Sequence, residues 1–207
     1  MQSLYTSRPG LILGFHGCDA TLAEDVVMGR TMLKQSDHDY DWLGHGIYFW
    51  ENNAARALQW AQENSLRKGS KLTSPGVLGA YLSLGRCLDL TDSESLQNLK
   101  VAYDTLKKTL GLAGLSLPVN VDPPKAKSKD RILRKLDCAV IEAFHDLNKS
   151  AGLPEYDSVR GVFWEGDELY PGAGFMDKNH IQIAVLNPNC IKGFFLPRKL
   201  DSKYPNP

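Results

Sequence analysis

Three short stretches carry residue types able to grip a flat, polar ligand. They are His16-Gly17, Gly46-Ile47-Tyr48-Phe49 and Gln182, each inside an apolar run of strand character. A histidine ring nitrogen can bind a ribose hydroxyl, and Gly17 leaves its backbone N–H and C=O clear for an amide. Tyr48 offers a planar face with a hydroxyl at its rim. Gly44 and Gly46, just ahead of it, let the backbone bend and a flat group come close. A stacked ring, an anchored amide and anchored hydroxyls are what a nicotinamide riboside would need. Each residue also has a plainer reading. His16 can be a satisfied structural histidine, His45 a loop histidine, and Trp60 a core residue at helical spacing. Cys18 as a nucleophile with His180 as its base is a further option, resting on residue types alone.

The elements that must position these residues follow from period and punctuation. Residues 11–18 (LILGFHGC) read as a buried strand. Thr21 and Glu24 have capping-box spacing and open a short helix to Gly29. The acidic, turn-rich stretch 34–42 reads as a loop. A strand at 46–50 follows, and then a helix capped by Asn52 or Asn53 and running to about Arg67, with Ala54, Ala57, Leu58 and Ala61 on one face. Residues 77–90 read as one or two strands. Amphipathic helices are expected over 93–111 and 128–150, separated by the proline-bearing loop 117–127. Strands return at 157–164, 180–187 and 191–196, the first two joined by the loop 165–179, whose length marks it as functional or disordered. His180 and Gln182 share one strand face. Strands, then helices, then strands again indicate an α+β fold with an antiparallel sheet in a single domain, 1–207.

Composition narrows the class. The chain has 207 residues, is 43% hydrophobic, and balances 24 Lys+Arg against 24 Asp+Glu, so bulk electrostatics do not hold it on nucleic acid. No apolar run approaches the ~20 residues of a membrane span, and no charged n-region precedes a long apolar stretch, so a cytoplasmic protein is expected. Cys18, Cys87, Cys138 and Cys190 are scattered, without metal-binding spacing, and read as reduced thiols.

HGC at 16–18, GHGIYFWENNAARALQWA at 44–61 and IQIAVLNPNCIKGFF at 181–195, in this order, resemble an ADP-ribosyltransferase domain. The similarity is to the branch holding diphtheria toxin and the poly(ADP-ribose) polymerases, and it covers roughly 11–90 and 157–196. It implies two small, mostly antiparallel sheets around an NAD cleft, with residues 91–150 as a helical insert. It also implies that His16 binds a ribose 2′-hydroxyl, Gly17 holds the carboxamide through its backbone, and Tyr48 stacks on nicotinamide beside Gly46. Trp60 would form a second aromatic wall. Loop 34–42 falls where the family's donor loop lies, and loop 165–179 where its acceptor loop lies. NAD is then a substrate and no metal is required. Many members carry glutamate where this chain has Gln182, which casts doubt on polymer synthesis and leaves mono-transfer. Glu165 either supplies the missing carboxylate or is an exposed loop acid. Stand-alone domains of the family include toxins and phage-defence effectors, and a toxin would have an antitoxin or inhibitor protein as partner. The alternatives are an NAD-dependent RNA 2′-phosphotransferase, which shares the fold, and a catalytically silent module that binds NAD or ADP-ribose.

The acceptor is the least specified part. Residues 125–135 (KAKSKDRILRK) hold six cations against Asp130, either a solvated helix start or a patch for a phosphate-bearing acceptor. With Tyr170 and Phe175 as stacking faces, this slightly favours RNA or single-stranded DNA over protein.

Overall fold

The computed structural model describes residues 10–124 and 130–205. Its elements in chain order are β1 (Ile12–Asp19), α1 (Ala20–Val27), β2 (Ile47–Glu51), α2 (Ala54–Ser65), β3 (Pro75–Leu82), β4 (Cys87–Asp89), α3 (Ser93–Leu112), β5 (Asn120–Val121), β6 (Leu133–Arg134), α4 (Lys135–Ser150), β7 (Ser158–Phe163), β8 (His180–Val185) and β9 (Ile191–Phe195). Where the sequence suggested two small sheets, nine strands give one seven-stranded sheet, ordered β4-β7-β8-β2-β1-β3-β9, and a two-stranded ribbon, β5-β6. Every neighbouring pair is antiparallel except β4 and β7. That exception gives residues 91–150 a structural reason. Parallel neighbours need a long crossover, and α3, the ribbon and α4 supply it.

Alternation fixes what each sheet face carries. The registers Phe15↔Trp50, Trp50↔Gln182 and Gln182↔Gly161 put these residues on one face, which Gly17, Tyr48, His180 and Phe163 share. His16, Phe49, Ile183 and Leu78 lie on the other. On the first face, α2 packs against β1 and β3, while Leu43, Ile141, Phe144, Val159 and Ala184 fill a core beneath α4. On the opposite side, Phe49, Leu82, Ile183 and Val185 form a second core. Arg160, only 6% exposed, crosses the sheet to donate to Glu51 on β2 and to Asp89 on β4.

Local chemistry sets the helix ends. Asp19, not Thr21, caps α1: its carboxylate accepts the N–H groups of Thr21, Thr73 and Ser74, and these bonds hold its pKa down to about 2. Asn53 caps α2 through the Arg56 N–H at 2.9 Å. The second expected insert helix begins at Lys135, because Leu133 and Arg134 are in the ribbon, and residues 125–129 lie outside the described residues. Arg134 offers α4 no side-chain cap, and Asn120 on β5 does so across the ribbon, accepting from Leu136 and Asp137.

Gly17 is where sheet and helix meet most closely. A Cβ there would lie 2.2 Å from the Ala57 carbonyl oxygen and 3.2 Å from Trp60 Cε3. Helix packing alone therefore demands glycine at this position. We predict that Gly17→Ala costs about 1–3 kcal/mol through forced displacement of α2, seen as a fall in melting temperature. Melting unchanged from the parent would contradict this packing.

Candidate active site

The site is built around a break in the β1–β2 ladder. Even-numbered residues of β1 bond towards β3, a register continued by Ala20 N–H to Ser74 O at 2.7 Å. Odd-numbered residues bond towards β2, as Asn52 N–H does to Leu13 O at 2.8 Å. Only two pairings join β1 to β2, Gly14↔Glu51 and Phe15↔Trp50. In the next rung Gly17 N–H would donate to Tyr48 O. That oxygen instead accepts the Nδ1–H of His16 at 2.7 Å, and the strands part. Gly17 thus aims its N–H and C=O into an opening. Further along β2, Gly46 exchanges two bonds with Ser36, at 2.8 and 3.0 Å, so loop 34–42 borders the opening at its far end.

Each residue singled out in the sequence can now be placed. His16 donates through Nδ1 to a carbonyl, which fixes its tautomer and leaves Nε2 as an acceptor. Burial pushes its pKa down, with the bond to Tyr48 opposing, so the ring is neutral near pH 7. The Tyr48 ring lies on the opposite sheet face, packed against the core of Leu43 and Ala184, so the fold does not bring the His16 and Tyr48 rings together on one side. The Tyr48 hydroxyl is already engaged, donating to Gly44 O at 2.6 Å and accepting the Leu43 N–H at 2.8 Å. Only its ring face is left for a ligand. Gly44 needs glycine for its φ of 74°. Trp60 packs with Phe15, Trp50 and Ala57, as a core residue would, while also facing Gly17. Gln182 is 8% exposed, and its amide makes no side-chain hydrogen bond among the described residues.

Beside Gln182 lies a charged cluster that the sequence disclosed only in part. Glu165 is not an exposed loop acid: its side chain is 12% exposed and both oxygens take Arg56 Nη2, at 2.8 and 2.7 Å. Arg56 is itself 5% exposed and lies over Trp50. His180 donates Nδ1–H to Lys178 O at 2.7 Å and has rings of Trp42, Trp50 and Phe163 around it. Burial, helped by the charges of Arg56 and Arg134 and opposed by the Lys178 bond, pushes its pKa down to about 4. The 3.5 Å approach of His180 Nδ1 to Glu165 is therefore a contact of a neutral ring, not an ion pair. Trp50 Nε1, Arg56 Nε and Nη1, and His180 Nε2 are buried without partners. Nothing in the local pattern betrays Arg56, which reads as an ordinary polar position of α2.

The basic run is partly spent. Lys125, Lys127 and Lys129 lie outside the described residues, Arg134 stacks on Trp42 and Phe163, and Lys135 pairs with Asp39 at 2.7 Å. Arg131 is exposed. Loop 165–179 is bonded within itself, Leu169 N–H to Phe175 O and Ala173 N–H to Tyr170 O; Trp164 just ahead of it, Tyr170 and Phe175 are 55–59% exposed. A polar cavity of about 740 Å³ is lined by Asp130, Arg131 and Arg134 and by Trp164, Gly166 and Met176. A more apolar one of about 400 Å³ lies under α3 and α4. Cys18 does not suit a nucleophile, since burial, with Asp19 nearby, pushes its thiol up to about 11, and it faces away from His180. Among the described residues no His, Cys, Asp and Glu group is placed to hold a metal, and no helix is long and apolar enough to cross a membrane.

Known protein-family profiles give no match to the chain. The chain is similar to the uncharacterized protein MJ0359 of Methanocaldococcus jannaschii, 27% identical over 197 residues, which cover 86% of this chain and 83% of that one.

The depressed pKa of His180 has a consequence for stability. Between 6.5 and about 4 the unfolded chain holds the proton and the folded one does not, so acid favours unfolding. The stability that His180 confers is full above pH 6.5 and lost as pH falls towards 4, by up to about 3 kcal/mol. Denaturant titrations at pH 7 and 4.5 should show this loss, and His180→Gln should reduce it. An equal loss in that variant would contradict the assignment.

Proposed function

We propose that this protein transfers a single ADP-ribose from NAD to a macromolecule, releasing nicotinamide, on a fold of the ADP-ribosyltransferase type. The observation that carries this reading is the opening in the β1–β2 ladder, where His16 bonds the Tyr48 carbonyl and Gly17 is left without that rung partner. Gly17 offers a carboxamide an N–H and a C=O, the two groups an amide complements. Tyr48 and Trp60 offer ring faces to the nicotinamide. His16 Nε2 accepts from a ribose hydroxyl, and the Gln182 amide binds a hydroxyl of the nicotinamide-bearing ribose. Nicotinamide is a good leaving group, so holding the ribose in a reactive pose supplies much of the acceleration. The acceptor arrives over the loop at 164–176, where Trp164, Tyr170 and Phe175 give stacking faces worth roughly 1–3 kcal/mol per unpaired base. These rings now carry the preference for a nucleic acid acceptor, because Arg134 and Lys135 are engaged within the protein.

The test is to incubate the protein with NAD and follow nicotinamide release with and without a cell lysate. His16→Ala should weaken NAD binding about tenfold, or 1.4 kcal/mol, through the lost hydrogen bond. Tyr48→Phe, which keeps the ring, should bind NAD within about threefold of the parent. Tyr48→Ala is a poor probe, since it also empties a place beside the core of Leu43 and Ala184. A parent that binds no NAD by calorimetry would end this reading. A parent that binds NAD and never consumes it is a binding module. Label that survives protease and is lost to nuclease identifies a nucleic acid acceptor.

A further inference from the structure

The negative charge that position 182 lacks stands two residues past the end of the neighbouring strand β7. Gly161 pairs with Gln182 and Phe163 with His180, so continued alternation places Glu165 on the face of Gln182. Glu165 is held there by its own backbone, whose C=O accepts the Lys178 N–H at 3.1 Å. The chain then turns at Gly166, with a φ of 94°, where a Cβ would lie 1.9 Å from Asp177 Oδ1. Among the described residues the carboxylate has one cation within ion-pair distance, Arg56 through Nη2, and the nearby His180 is neutral. Arg56 spends that nitrogen alone and leaves Nε and Nη1 buried without partners. As a stabilising device this is poor, because both charges lose their hydration and two donors remain unmet. Costly buried charge beside a ligand opening is the kind of arrangement that functional sites retain.

We propose that Glu165 is the catalytic carboxylate of the transfer, with Arg56 as its positioning residue. This rests on the transferase reading given above. In the reaction the bond from ribose C1′ to the nicotinamide ring nitrogen breaks. Its electron pair leaves on that nitrogen and cancels the ring's positive charge. C1′ takes up positive charge, which Glu165 stabilises across the site while Gln182 orients the ribose hydroxyl. A lone pair of the acceptor then forms the new bond to C1′, and the acceptor's proton passes to water. Glu165 transfers no atom, so its contribution is electrostatic and depends on charge, not on a particular strand.

The experiment moves that charge. Steady-state nicotinamide release from NAD is measured for the parent, for Glu165→Gln, and for Glu165→Gln combined with Gln182→Glu. Glu165→Gln should lower kcat about 100-fold, as loss of one preorganised electrostatic group does, with KM for NAD within about threefold. Adding Gln182→Glu should restore kcat at least tenfold by returning the carboxylate on β8. A merely structural Glu165 would not be rescued from a different strand. If Glu165→Gln melts below the assay temperature because Arg56 is left unpaired, Arg56→Met is added to both variants and the same criteria hold. Undiminished kcat in Glu165→Gln overturns the assignment, and so does a loss that Gln182→Glu fails to recover in a folded protein. A parent that releases no nicotinamide overturns the transferase reading itself, a result distinct from either of these.

Discussion

The hydrogen bond from His16 Nδ1 to the Tyr48 carbonyl determines how the sheet can be used. A seven-stranded antiparallel sheet would ordinarily pair β1 and β2 along their whole shared length. Here a side chain takes the acceptor that the next rung requires, and the ladder ends after two pairings. Leaving backbone groups unpaired inside a fold costs free energy unless something else binds them. The groups left over belong to Gly17 and Tyr48; α2 covers Gly17 on the sheet face shared with the Tyr48 ring and Gln182, and the His16 ring lies on the other face. Loop 34–42, tied to Gly46 through Ser36, closes the far end of the break and keeps the two strands from rejoining. The same bond sets the tautomer of the histidine, which burial keeps neutral: a carbonyl partner requires the hydrogen on Nδ1 and leaves Nε2 to accept.

Around this break α2 acts as the organiser. It rests on Gly17, so close that no side chain fits between them, and it carries both Trp60 and Arg56. Arg56 fixes Glu165 at the start of loop 165–179 and so ties α2 to that loop through one ion pair. The crossover from β4 to β7 contributes from the other direction. Its ribbon presents Arg134 against Trp42 and Phe163, so two cations add to the burial that keeps His180 unprotonated. α3, the ribbon and α4 are thus the connection that parallel strands need, and the ribbon also brings Arg134 to the rings around His180.

Much of the strand skeleton was readable from the chain, because period-2 alternation and glycine punctuation act locally. The strands bearing His16, Tyr48 and Gln182 fall where they were expected, and so do the Asn53 cap and the face shared by His180 and Gln182. The single large sheet was not readable, since how far two strands pair depends on side-chain competition for one carbonyl. Buried arginines escaped for a related reason. Arg56 and Arg160 look like surface charge in sequence, as does the half-buried Arg134, and only their distant partners Glu165, Glu51 and Trp42 explain why they turn inward. The exposed acid that Glu165 offered as an alternative failed in the same way, as its partner lies 109 positions away. The Asn120 cap of α4 is likewise a contact between elements, and no run of neighbouring residues announces it.

The claim on which this account depends is that the break between β1 and β2 receives the nicotinamide half of NAD. Backbone amide resonances report on it directly, because Gly17 N–H points into the break and has no partner on β2. Titrating isotope-labelled protein with NAD, and separately with nicotinamide, should shift the Gly17 amide in both cases, and that of Gly79 on β3 far less. A Gly17 amide that stays in place while NAD saturates the protein elsewhere would contradict the account.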